Sequence, residues 1–259
     1  MKTILILITL LIWHPLTAQF NEAWLRQSSI IFTGTVQEIN KSTVKGIRST
    51  DLPVIVKVAE MEVKPDAVTL PKSGLITVLM SKGSEINQGD NYRFYGLGYI
   101  FGNEMAITEV GHEPPDKTQQ DLKKTKQELL IKDHMKKSNL VASGTVQEIR
   151  VPGEDKPGID SEHDPEWKEA VVILENVIKG PQVKKVIIRF PASNDIAWYK
   201  VPKLKQGERG TFILSVDKEI TGFKAGVIDG ARVNTYALQD PLDVLPAEDF
   251  EKVESLYKQ

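Results

Sequence analysis

One six-residue segment occurs twice in this chain, and that repetition limits its architecture more than any other feature. Gly34-Thr-Val-Gln-Glu-Ile39 returns 110 positions later as Gly144-Thr-Val-Gln-Glu-Ile149. The pattern continues beyond the identity. Val54-Ile-Val-Lys-Val58 and Met61-Glu-Val-Lys-Pro65 correspond to Ala170-Val-Val-Ile-Leu174 and Val177-Ile-Lys-Gly-Pro181. Leu75-Ile-Thr-Val-Leu-Met80 corresponds to Val186-Ile-Ile-Arg-Phe190, and Gly89-Asp-Asn-Tyr-Arg-Phe94 to Gly207-Glu-Arg-Gly-Thr-Phe212. On this alignment the offset grows from 110 through 116 to 118, so the second copy has the longer loops, mainly at 150–168. A period of about 115 residues is too long for a solenoid unit and means two tandem domains.

Within each copy the runs are short, rich in Val, Ile, Thr and Phe, and bounded by Gly, Pro, Asn and Asp, which is the sequence form of β-strands. Gly34 and Gly144 fall in the middle of strands, where glycine marks a bulge or a bend at a barrel corner. The expected fold class is mainly β: two tandem OB-like small barrels with a linker helix and a C-terminal helix. The first domain takes 19–115, the linker helix 116–138, and the second domain with its C-terminal helix 139–259. A short amphipathic turn at Phe20, Trp24 and Leu25 precedes the first strand. The linker helix starts after Pro114-Pro115 and carries Leu122, Leu129, Leu130 and Met135 on one stripe, and Phe250, Val253 and Tyr257 share a face of the last helix. The linker lysines are interspersed with Asp121, Glu128 and Asp133, so they read as a solvated face rather than an anion-binding patch.

The N-terminus is an address. Lys2 precedes the apolar run Ile4 to Trp13, Pro15 ends any helix, and Thr17-Ala18 offers a small residue for cleavage before Gln19. Residues 1–18 therefore read as a secretory signal peptide, too short to span a bilayer. The chain has no cysteine, which excludes disulfides, thiolate metal sites, cysteine nucleophiles and a lipidated N-terminal Cys. An exported chain without disulfides suits a bacterial periplasm or medium. With 33 Lys and Arg against 35 Asp and Glu the chain is net-negative, so it lacks the electropositive groove that OB-type barrels use for single-stranded nucleic acid.

The run Ser138-Asn-Leu-Val-Ala-Ser-Gly-Thr-Val-Gln-Glu-Ile149, followed by Val177-Ile-Lys-Gly180, Val186 to Phe190 and Gly207 to Leu214, resembles the OB-like barrel of the netrin-like and metalloproteinase-inhibitor (TIMP) superfamily. The pattern is close to that of uncharacterised exported bacterial proteins and covers most of both copies. The inhibitors chelate their target's zinc through an N-terminal cysteine, and this chain has none. Inhibition by that chemistry is excluded, and fold alone assigns no function.

The densest polar and aromatic material lies in the second copy, in Asp160 to Trp167 and in Ser193 to Tyr199. Trp167, Trp198 and Tyr199 offer flat faces with polar edges, while Asp195 and His163 supply hydrogen bonds, a combination suited to a ligand platform. The plainer alternative is a pair of loops tied down by their own aromatics. Glu162, His163 and Asp195 form the best metal set, which would serve a metal-dependent hydrolase, but consecutive side chains rarely converge on one ion and no HExxH or Ca²⁺-loop motif occurs. Ser161, His163 and Asp195 make a serine triad only by assembling common residues, and there is no GxSxG. Gly96-Leu-Gly98-Tyr-Ile-Phe-Gly102 is spaced for a hairpin, not for GxGxxG. The expected protein is an exported, cofactor-free binding module of the cell envelope whose partner is a protein or glycan. A structural envelope component without a discrete site is the other non-enzymatic reading.

Overall fold

A computed structural model describes residues 21–101, 104–115, 121–153, 165–217 and 220–259, so the expected signal segment 1–18 lies outside the described residues. The chain divides into two compact units, 1–126 and 127–259. The first contains α1 (Glu22–Gln27), β1 (Ile30–Ile39), β2 (Pro53–Val63), β3 (Leu75–Leu79), β4 (Asn91–Phe101) and β5 (Glu104–Glu113). Its strands close into a barrel in the order β1-β2-β3-β5-β4, with β4 pairing back onto β1. Every pairing is antiparallel except β3 with β5. Gly96 and Gly98 sit within β4, opposite Glu109 and Ile107 of β5, as a glycine-rich hairpin requires.

The second unit repeats this plan with β6 (Leu140–Arg150), β7 (Trp167–Lys179), β8 (Lys185–Pro191), β9 (Arg209–Val216) and β12 (Thr235–Ala237). The order β6-β7-β8-β12-β9 closes the barrel through the β12–β9 pairing, and β8 and β12 run parallel. Between β9 and β12 lies a two-stranded hairpin, β10 (Val227–Ile228) and β11 (Ala231–Arg232), and β13 (Val244–Pro246) adds to β9. Helix α2 (Leu122–Lys137) and α3 (Phe250–Tyr257) complete the chain, which is therefore mainly β with two OB-like barrels. Among the described residues no helix is long and apolar enough to cross a membrane.

The repeat extends to defects in the pairing. β1 slips against β2 at Ile31/Phe32, Thr33/Gly34 and Val36/Glu38, and β6 slips against β7 at Val141/Ala142, Ser143/Gly144 and Val146/Glu148. These are the same three positions in each copy. Bulges strengthen local twist and let one long strand pair on both edges of a small barrel. Register also refines the alignment at the third strand. Val56 faces Ile76 and Val172 faces Val186, so Ile76 matches Val186 and the offset falls back to 110 before reaching 118. The reason is local: the second copy has the longer β-strand 1–2 connection but the shorter one between strands 2 and 3.

Inward positions fill each barrel. In the first, Phe32 stacks on Phe94 across the β1–β4 pair at 5.2 Å, among Val36, Val56, Ile76, Val78 and Ile107. In the second, Ala142 replaces Phe32 and Tyr236 replaces Ile107, so the large ring moves from the first strand to the fifth within an equally buried core. Volume is conserved by exchange, as close packing demands.

The helices follow the same logic with two shifts. The Asn21 side chain caps α1 by accepting from Ala23 N and Trp24 N, and Lys126 Nζ donates to the Leu25 and Arg26 carbonyls at its far end. In α2 the residues buried are Leu122, Leu129, Ile131 and Met135, so Ile131 takes the place expected of Leu130. In α3 Val253 and Leu256 are buried while Tyr257 is exposed, because the helix starts at Phe250 after a 3-10 turn.

Each unit also holds one histidine between a buried carboxylate and a backbone carbonyl. His112 contacts Glu109 Oε1 through Nδ1 at 2.5 Å and the Glu85 carbonyl through Nε2 at 3.1 Å. His134 contacts Asp243 Oδ1 at 2.8 Å. Both ring nitrogens of His112 face acceptors, so the imidazolium fits best. The Glu109 hydrogen bond raises His112 above its ordinary value of 6.5 against the opposing effect of burial, and Asp243 does the same for His134. Burial alone would raise the Glu109 carboxyl, but hydrogen bonds from His112, Ser81 N and Ser84 together hold it below its ordinary value. A raised folded-state value means that the histidine stabilisation is complete below the ordinary histidine value and is lost as pH climbs through the folded one. The Glu109 contribution is lost at the other end, as pH falls through its lowered value. Thermal unfolding at pH 6, 7.5 and 9 is expected to show a falling midpoint, with a flatter slope for the first unit in His112→Gln.

Candidate functional site

In OB-type barrels the face of strands 2 and 3 and the connections 1–2 and 4–5 form the usual binding surface. Both connections are elaborated in the second barrel. There the β6–β7 connection runs through 151–166 and the β9–β12 connection through 217–234, whereas β4 and β5 of the first barrel are separated by 102–103 alone. Within the 217–234 connection, residues 226–233 pack on the outer side of β7 and β8. Ile228 joins Val171 and Ile187 in a small apolar cluster, and Gly226 N donates to Thr235 Oγ1. The approach at Gly226 is close: a Cβ there would lie 2.3 Å from Ile187 Cδ1, so that side chain would have to shift. The β10–β11 hairpin turns through Asp229 and Gly230, at φ 52° and 78°, the Asp-Gly geometry of a tight hairpin.

Beneath this segment lies a buried ion cluster. Arg189 and Glu169 are opposite one another in the β7–β8 register and are only 2% and 3% exposed. Arg189 Nε and Nη2 each donate to Glu169 Oε1 at 3.0 Å, and Nη1 donates to Asp217 Oδ2 at 2.7 Å. Nη2 also donates to the Lys224 carbonyl, and the guanidinium lies 5.0 Å from the centre of the Phe223 ring. Asp217 accepts in addition from Thr221 N and Thr221 Oγ1. Arg150 Nε donates to Glu169 Oε2 at 3.1 Å and Nη2 to the Val227 carbonyl at 2.6 Å. Among the described residues Arg150 Nη1 has no hydrogen-bond partner, and its side chain is 31% exposed.

The cluster forms the floor of an open cavity of about 580 Å³, lined by Arg150, Glu169, Arg189 and Lys224 with Val151, Phe223 and Val227 among its apolar walls. That volume is within the usual range for small-molecule sites. Two features set the arrangement apart. Burying charges is expensive unless they are fully paired, and the first barrel closes without this set: Asn40, Pro53 and Leu79 hold the places of Arg150, Glu169 and Arg189. The first barrel's own ion cluster, Arg93 with Glu62 and Glu113, lies elsewhere, on β4, β2 and β5. Arg189 and Glu169 are saturated by protein partners, so they position Arg150, whose outer edge remains the donor available to a ligand.

The expected aromatic platform is brought together in part. Trp167, at the start of β7, meets Trp198 edge to face at 5.7 Å, and Trp198 packs on the second barrel's core. Asp195 organises the turn: Oδ1 accepts from Ala197 N, and its carbonyl accepts from Trp198 N and Tyr199 N. Lys203 Nζ ties the loop from below through the Trp198 and Val201 carbonyls. Tyr199 projects outward, 57% exposed beside Ile196 at 84%, with Lys200 Nζ 5.5 Å from its ring centre. Trp198 is thus half-buried against the barrel core, while Tyr199 faces solvent. Glu162 and His163 lie outside the described residues, and so does Ser161. Among the described residues no three His, Asp or Glu side chains converge as a metal site.

The charged cavity has a sequence signal that motif reading passes over. Arg189 interrupts the apolar strand Val186-Ile-Ile-Arg-Phe190, and Glu169 directly precedes Ala170-Val-Val-Ile-Leu174. A charge within a buried strand needs a partner, and each supplies the other's. No model of a known protein family matches this chain, and no curated protein matches it.

Proposed function

We propose that this chain is an exported, non-catalytic binding module of the bacterial envelope, built from tandem netrin-like barrels, whose second barrel binds an acidic glycan. The signal-like segment 1–18 supports export. The observation that carries the binding reading is the cavity over Arg150, Glu169 and Arg189, a residue set that the first copy replaces with Asn40, Pro53 and Leu79. A fixed, partly exposed guanidinium flanked by apolar walls is suited to a carboxylate on a sugar ring. The cavity accommodates a short oligosaccharide rather than a folded partner.

Isothermal titration of the purified protein with oligogalacturonate is expected to show saturable binding, and neutral malto-oligosaccharides of the same length none. A hydrogen bond to a charged group is worth about 1.5–3 kcal/mol, so Arg150→Ala should weaken binding by roughly ten- to a hundredfold. Arg150→Lys should retain part of it. Equal affinity for charged and neutral sugars, or indifference to Arg150→Ala, overturns the reading.

A further inference from the structure

A second cleft in the same unit has a different chemistry. It is formed by the β10–β11 hairpin and the turn entering β8, and encloses about 510 Å³. Val183, Ile228 and Val233 supply its apolar lining, and Lys184, Lys185 and Arg232 its charge. Among the described residues no carboxylate lines it. None of the three cationic heads makes an ion pair or hydrogen bond among the described residues. Asp229, the acidic residue of the hairpin, is at the turn and outside the lining.

Register places Gly74 and Leu75 of the first barrel where Lys184 and Lys185 stand here. Three like charges around one concavity repel one another and raise its potential, which an anion offsets. The apolar lining then decides the kind of anion. Ile228 is 9% exposed and continuous with the buried Val171 and Ile187, so the apolar surface is recessed. A free inorganic anion gains nothing from such a floor. A single molecule with a charged head and an apolar tail satisfies both parts.

We propose that this cleft is a binding site for a single-chain anionic amphiphile, with its carboxylate or phosphate head held by Lys184, Lys185 and Arg232 and its tail over Val183, Ile228 and Val233. The site is independent of the cavity over Arg150. Titration calorimetry of the full protein with decanoate and with decyl phosphate, each below micelle formation, tests it against inorganic phosphate and decyl maltoside. Both anionic amphiphiles are expected to bind saturably, at least about tenfold more tightly than either control, and more weakly as salt is raised. The Lys185→Glu/Arg232→Glu double variant should lose about tenfold or more in affinity with an unchanged unfolding midpoint, because both changes are at partly or fully exposed positions. Lys185→Arg should retain binding, and Val233→Asp should lose it by removing the tail contact. Equal binding of decyl maltoside, equal binding of inorganic phosphate, indifference to the double charge reversal, or no saturable binding of either anionic amphiphile each overturns the proposal.

Discussion

Arg189→Leu is expected to destabilise the second barrel by about 3–5 kcal/mol, the magnitude typical of removing one partner from a buried ion pair. The substitution installs the residue that the first barrel carries at the same place, Leu79, so size and shape are not the difficulty. The difficulty is what it leaves behind. Glu169 and Asp217, whose side chains are 4% and 1% exposed, would keep their charges without the guanidinium that satisfies both. Adding Glu169→Gln and Asp217→Asn should recover much of the loss, since buried charge rather than volume is at fault. Denaturant unfolding combined with hydrogen exchange in β7 and β8, with β2 and β3 as the internal reference, measures both effects. A single variant as stable as the parent chain would show that the cluster is solvated, and the argument for its role in positioning Arg150 would fall with it.

The second large effect is expected at the paired glycines. A Cβ on Gly34 would lie 2.6 Å from the Lys57 carbonyl oxygen and 2.7 Å from Val56 Cγ1. On Gly144 it would lie 2.5 Å from the Ile173 carbonyl oxygen and 3.0 Å from Val172 Cγ1. In each case the nearest atom is backbone of the neighbouring strand, which cannot swing aside as a side chain can. Overpacking of this kind typically costs about 1–3 kcal/mol, and a backbone obstacle puts both alanines at the upper end. Gly34→Ala should weaken the first unit and Gly144→Ala the second, whereas Gly153→Ala, with nothing among the described residues within 4 Å of its Cβ, should do neither. Unfolding of the three variants, followed by exchange in each barrel, separates these outcomes. Equal stability of Gly144→Ala and Gly153→Ala would mean that the bulge tolerates a side chain.

These two effects also show what a one-dimensional reading can and cannot reach. Gly34 and Gly144 announced a bend because a repeat with glycine at the same place in two strands states a local backbone need, and the bulges fall there. Barrel class was legible for a similar reason, since alternation and turn residues are local. The charged cavity left only a partial signal, the charges at Glu169 and Arg189 beside apolar strand residues. Arg150, Glu169, Arg189 and Asp217 are spread over four separate stretches of sequence, and only closure of the sheet brings them together. Trp167 and Trp198 were legible as aromatics, and the fold brings them edge to face, with Trp198 half-buried against the barrel core. Helix faces were read to within one position: Ile131 for Leu130 and Leu256 for Tyr257, a difference set by where each helix begins.

The two barrels are closed by very unequal seams. In the first, β5 is zipped along β4 from Arg93/Glu113 to Phe101/Glu104. In the second, β12 is Thr235–Ala237 only, and its link to β9 is Tyr236 with Val216 and Ala237 with Ser215. A seam so short can part without the rest of the barrel melting, so amide exchange at 235–237 should follow local opening rather than global unfolding. Thr235 also holds Gly226 through its hydroxyl. The second barrel is thus fastened like a jar whose clasp is part of its lid: whatever steadies the 226–234 cover also keeps the container shut, and whatever loosens the cover frees the closing strand first.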